Sequence, residues 1–209
     1  MYVPRAFAEN DLERLHAQIL ATPLPVVVTQ GEQGLAASHI PLLLSPDEGS
    51  HGTLYGHLAR ANAQWRALAE GAEAMVIFAG EQAYISPTFY PSKADHGKAV
   101  PTWDYVAVHA YGKATVFDDG PGLLRVVTRL SERHEANRPQ PWAVSDAPRD
   151  YIDSLLKAIV GFSLPISRLI GQRKLSQSRS AADQAGVRDG LLASNNPQDH
   201  ALAHLITKE

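Results

Sequence analysis

Apolar residues recur along this chain with two distinct periods, and the switches between them outline its elements. Leu12, Leu15, Ile19 and Leu20 repeat at helical spacing, and Asn10 with Glu13 three positions on forms a capping-box-like start. Pro23 and Pro25 end that helix. Two β-prone runs follow at residues 24–30 and 35–44, and the Gly31-Glu32-Gln33-Gly34 stretch between them predicts a hairpin. A strand over 53–59 leads into a short helix, with Asn62 as its N-cap and Gly71 as the glycine past its end. Strands at 74–79 and 83–86 come next, then a loop over 89–101 rich in turn-forming residues, then a long strand over 105–117.

The second half predicts helices over 121–137 and 148–158, the latter capped by Asp146, and a strand over 159–169. The tail from 178 to 206 reads as helical, broken at Asn195-Asn196, with Pro197 suited to a first helical turn. Six or seven strands joined mainly by hairpin-type connections, with helices at the edges, predict a mainly β fold with α (the α+β class) built on a closed antiparallel barrel. The expected division is a barrel domain over 1–177 and a helical extension over 178–209.

Composition narrows the chemistry. The 209 residues are 44% hydrophobic and 20% charged, enough for a core that needs no metal or disulfide. There is no cysteine, which removes thiolate metal sites and cysteine nucleophiles and fits a reducing compartment. The start, Met1-Tyr2-Val3-Pro4-Arg5, has no basic region followed by an apolar run, so the expectation is a cytoplasmic protein with no membrane association. A net charge of −3 lacks the basic surplus of a dedicated DNA-binding module.

Four stretches could carry chemistry. In 55–62 a strand ends, Arg60 follows and a helix begins, and free N–H groups at a helix start together with a guanidinium favour a phosphate. The same features also describe a capped turn with a solvent-facing arginine. The stretches 84–93 and 100–105 place Tyr84, Phe89, Trp103 and Tyr105 beside Ser86, Thr88 and Thr102, which suits a planar ligand with polar edges as well as it suits loop anchoring. Nine histidines lie without metal-ligand spacing, and a Ser86, His57, Asp104 triad has no nucleophile elbow behind it. In 180–194 the Ala182-x-x-x-Gly186-Val187 spacing resembles a helix–turn–helix fragment, but Asp183 and Asp189 oppose Arg179 and Arg188 there.

At these residues the sequence resembles the PaiB family of FMN-binding negative transcriptional regulators. The matching motifs are Ser38-His39-Ile40-Pro41, the run from Gly56 to Asn62, Tyr84-Ile85-Ser86-Pro87, the run from Val100 to Tyr105, and Lys174-Leu175-Ser176-Gln177. Members tend to carry Pro where this chain has Ala63 and Asn where it has Asp104. The resemblance implies a split antiparallel β-barrel shared with pyridoxamine-phosphate oxidases, and a homodimer with FMN at the subunit interface. Carried over by position, it makes Arg60 and Asn62 phosphate-side candidates. It makes Lys174 and Gln177 a second polar group, and Ser38, Ser86, Thr102 and Trp103 ring or ribityl contacts.

Three functions follow as expectations: a flavin-dependent regulator, with direct DNA contact weakly supported; a flavin-dependent oxidoreductase of the pyridoxamine-phosphate-oxidase-like group; or a haem-related ligand-binding protein. No catalytic acid or base stands out in the sequence.

Overall fold

The computed structural model describes residues 1–32 and 34–206, so Gln33 of the expected hairpin turn lies outside the described residues. After a 3-10 turn at Arg5–Phe7 come β1 (Ala8–Glu9), α1 (Leu12–Ala21), β2 (Val26–Gly31), β3 (Gly34–His39) and β4 (Leu43–Ser45). Next are β5 (Thr53–Ala59), α2 (Gln64–Ala69), β6 (Glu73–Ile85), α3 (Lys93–His96), β7 (Thr102–Lys113) and β8 (Thr115–Phe117). The remainder is α4 (Gly120–Glu135), α5 (Arg149–Leu156), β9 (Ile159–Pro165), β10 (Arg168–Lys174), α6 (Ala181–Leu192) and α7 (Pro197–Leu205).

The strands form two sheets, in the orders β1-β10-β7-β6-β2-β3 and β4-β5-β9-β8. The pairs β1·β10, β2·β3, β2·β6, β4·β5, β5·β9 and β8·β9 run antiparallel. The α+β class expected from the sequence is present, but the closed barrel is not. Both sheets are open among the described residues, and three of their end strands, β1, β4 and β8, have only two or three residues.

Several elements depart from the sequence pattern for local reasons. The cap of α1 is Asp11 rather than Asn10: its Oδ1 accepts from the Glu13 N–H at 2.9 Å and the Arg14 N–H at 3.2 Å. The run 35–44 divides at Pro41, which has no N–H to donate to a ladder, and β3 and β4 then join different sheets. Residues 74–79 and 83–86 are one continuous strand, β6, because Gly80 stays extended where the Gln18 side chain passes too close for a Cβ. The run 159–169 turns at Ile166-Ser167, whose N–H groups bond to Gly52 O at 3.0 Å and Tyr111 O at 2.9 Å, so β9 and β10 separate. Asp146 does not cap α5; its carboxylate accepts from Ala143 N at 2.9 Å.

The chain divides into two compact units. One comprises residues 1–18, 79–108 and the chain from 170 on; its core packs Ala83, Ile85 and Tyr90 with Val187 and Leu191 of α6 and Leu202, Ala203 and Ile206 of the α7 region. The tail is helical on both sides of the expected break: α6 is capped by Ser180, and α7 starts as the sequence predicts, with Pro197 in its first turn and Asn196 Oδ1 accepting from Gln198 N at 3.1 Å. The other unit comprises 19–78 and 109–169. There α4 buries Leu123, Val126 and Leu130, against Leu43 on one side and Ile152 and Leu156 of α5 on the other.

Candidate functional site

The expected ligand-contacting residues fall in both units, each with its own geometry. In the unit holding β5, the strand ends at Ala59 and turns, with Asn62 N donating to Ala59 O at 2.9 Å, before α2 begins. The N-cap position of α2 is Ala63, one past the expected Asn62, whose Oδ1 still accepts from Gln64 N at 3.0 Å. The buried Gln64 amide reaches across to the hairpin, donating to Val27 O at 2.9 Å and Ala36 O at 3.3 Å. That brings Ser38 to Asn62, whose Nδ2 donates to the serine hydroxyl at 2.9 Å.

Arg60 lies on the same turn with its guanidinium engaged. Nε donates to Lys157 O at 2.9 Å and Nη2 to Ile159 O at 3.1 Å, and Nη1 lies 3.5 Å from Asp118 Oδ2. This clamps the start of β9 and leaves only part of the five-donor fork for anything else.

In the other unit the Lys174 ammonium lies at the end of β10. Its Nζ donates to Thr102 Oγ1 at 2.8 Å, to Trp103 O, and to Asp104 Oδ1 at 2.9 Å. An ammonium has three protons, so the lysine is saturated by the segment it holds. Asp104 is 1% exposed and its second oxygen accepts from Ser176 Oγ at 2.5 Å. Ser176 carries φ +59, a left-handed conformation uncommon for a residue with a Cβ, which the bond to Asp104 helps to hold. Gln177 turns back on its own strand: Oε1 accepts from Leu175 N at 2.7 Å and Nε2 donates to Arg173 O at 2.5 Å. Ser86 caps the 3-10 turn Pro87–Phe89, accepting from Thr88 N at 3.2 Å. Trp103 is half exposed, with its ring edge-on to Tyr84 at 6.2 Å.

The structure therefore brings Ser38 to Asn62, and Thr102 and Trp103 to Lys174. Ser86 and Gln177 bond within their own segments. It also adds residues that the sequence pattern did not nominate. Thr102, Asp104 and Lys174 line a cavity of about 150 Å³ together with Tyr90, Ser176 and Arg179. The Arg179 guanidinium lies over the Tyr90 ring at 4.6 Å from its centroid. Burial pushes the Tyr90 phenol up from its usual value, against the lowering effect of the Arg179 charge beside it. Asp104 had a sequence signal: counting back in twos from Val108 and Val106 puts it on the inward face of β7. Tyr90 lies in the aromatic stretch 84–93, and Arg179 stood out in the sequence only as a cation opposing Asp183 and Asp189.

The histidines do not gather. Among the described residues no group of three or more His, Asp or Glu is placed to hold a metal. Burial lowers the pKa values of His57 and His109 below the ordinary histidine value, so both are held neutral.

The donor set fits FMN in kind. Hydroxyls of Thr102 and Ser178 with the Arg179 guanidinium suit a phosphate or a polyol. The comparisons agree. Residues 1–168 match the family described as "Putative FMN-binding domain". An uncharacterized protein of Aspergillus fumigatus is 37% identical, covering 91% of this chain and 90% of its own length. The Bacillus subtilis protease synthase and sporulation protein PAI 2 is 32% identical, covering 99% of this chain and 96% of its own. Among solved structures, the FAD and heme binding protein of Mycobacterium smegmatis superposes with a TM-score of 0.59 at 20% identity, over 85% of this chain and 78% of that one. The flavocytochrome Anf3 of Azotobacter vinelandii gives 0.58 at 16% identity, over 82% and 72%. At those identities the two structures speak to the fold alone. The family match over 168 residues and the end-to-end likeness to PAI 2 decide the matter: this chain belongs to the FMN-binding domain family.

Proposed function

We propose that this protein is a PaiB-type regulatory flavoprotein, acting as a homodimer in the cytoplasm with FMN as its cofactor. The end-to-end similarity to PAI 2 of Bacillus subtilis carries the reading, and the absence of cysteine is in keeping with a reducing compartment. In this proposal Arg60 and Asn62 serve the phosphate side, and Ser38, Ser86, Thr102 and Trp103 serve the ribityl chain and ring. Lys174 and Gln177 act through the segment they brace, since the lysine's three protons already go to Thr102, Trp103 and Asp104. Bound FMN would supply a planar ring able to accept and return electrons; the protein's part is to bind it, orient it and set the polarity around it.

The tail speaks against groove reading. Helices α6 and α7 are packed into a core, and Arg188 is 3.2 Å from Asp189. A helix that reads bases keeps its cations free for phosphates and base edges.

The test is a flavin fluorescence titration of the purified chain, with light scattering of the loaded protein. Quenching of micromolar FMN and a mass of twice 22.7 kDa are expected. A monomer, or no binding at micromolar FMN, overturns the reading. Rapid bleaching of the bound flavin by NAD(P)H would replace regulation with the oxidoreductase alternative.

A further inference from the structure

We propose that a second cavity, walled by Tyr84, Phe89 and Trp103, binds a small planar heteroaromatic molecule whose ring is neutral or cationic. The cavity measures about 440 Å³, within the range of small-molecule sites, and lies wholly in the unit that holds α6 and α7. The inference goes beyond the FMN reading, with which it shares one residue, Trp103.

The aromatic wall is built by the fold. Trp103 and Tyr84 sit at outward positions of the neighbouring strands β7 and β6, each next to a buried residue, Asp104 and Ala83 or Ile85. Both rings remain about half exposed, at 53% and 50%, and meet edge to face with 73° between their planes. Phe89 forms the third side because α6 carries two glycines one turn apart. A Cβ on Gly186 would strike the Phe89 carbonyl, and one on Gly190 would strike its ring. Glycine inside a helix costs about 1 kcal/mol relative to alanine, and here that cost places an aromatic ring.

The polar side sets the charge of the occupant. Gln82 and Gln198 bring carboxamides, able to pair with an amide or a ring-nitrogen edge, and Asp199 brings a carboxylate whose Oδ1 accepts from Asn196 Nδ2 at 3.2 Å and whose second oxygen remains. No lysine or arginine lines the cavity among the described residues. The start of α7 has no donor to spare for an anion: Pro197 lacks an N–H, Gln198 N is held by Asn196 Oδ1 at 3.1 Å, and Asp199 N and His200 N by Asn196 O at 3.0 and 3.4 Å. Electron-rich rings beside a carboxylate favour a positive ring over a negative one.

The test titrates the full-length protein with 1-methylnicotinamide, a planar cationic carboxamide, and follows tryptophan emission. Saturable quenching is expected that disappears in Trp103→Phe, which keeps an aromatic wall but removes the reporting indole. Asp199→Asn should weaken the cationic probe about fivefold, the size of a partly exposed charge contact, and leave neutral nicotinamide unchanged. Tyr84→Ala, at an exposed position, should weaken both without unfolding the chain. Quenching that is linear and persists in Trp103→Phe overturns the proposal. So does nicotinate binding as well as the cation, or lumiflavin displacing the probe, which would make the cavity the flavin ring's own seat. FMN affinity is read separately from flavin emission, so failure of one proposal is distinguishable from failure of the other.

Discussion

Asp104 and Lys174 form an ion pair, Oδ1 to Nζ 2.9 Å, in which the carboxylate is buried and the lysine side chain 20% exposed. The remaining bonds of both groups go to Thr102, Trp103 and Ser176, so one pair ties the start of β7 to the end of β10. The segment it holds is the one that presents Thr102 and Trp103.

Asp104→Ala removes both acceptors, leaving the partly buried Lys174 ammonium without its counter-charge and the Ser176 hydroxyl without its partner. A stability loss of about 3 kcal/mol is expected. Asp104→Asn keeps one acceptor and should lose about 1 kcal/mol. Urea denaturation of the two variants checks this; equal losses would mean that the retained acceptor contributes nothing and the charge carries the effect.

Gly190→Ala sets two effects against each other. Alanine favours the helix by about 1 kcal/mol, whereas forcing a methyl into the Phe89 ring costs about 1–3 kcal/mol. The steric effect should win, giving a net loss. Combining it with Phe89→Leu should recover part of that loss, and strict additivity in the double-mutant cycle would show that the two residues do not meet.

His57 and His109 set an acid limit on stability. Burial lowers both pKa values in the folded state, so between the folded values and the unfolded value of about 6.5 the unfolded chain binds more protons. Their contribution is complete above about pH 6.5 and declines as pH falls towards the folded values. Urea midpoints measured from pH 8 to pH 5 should drop, and less steeply in His57→Gln. An unchanged slope would remove His57 from this account.

Asp119 caps α4, its Oδ1 accepting from Gly122 N at 2.7 Å. Asp119→Ala should lower stability by about 1 kcal/mol in thermal or chemical denaturation, and Asp119→Asn by much less. The loss should leave FMN affinity unchanged.

Local pattern sufficed for much of this protein. Strand β5 coincides with the predicted 53–59, Gly71 turns with φ +81 after α2, and Asn196-Pro197 starts α7 as read, because those features depend on neighbours a few residues away. The family motifs likewise sit in contiguous runs, so the flavin assignment was legible before any fold was seen. Tertiary structure decided what long-range partners decide. Pro41 divides one apparent strand between two sheets, and Gly80 stays extended inside one strand because Gln18 passes beside it. The sheets stay open where a hairpin pattern suggested closure, since alternation marks which face of a strand is buried but not which edge finds a partner. Residue roles followed the same rule: 70 residues separate Asp104 from Lys174, and only their pairing shows that the lysine's protons are already spoken for.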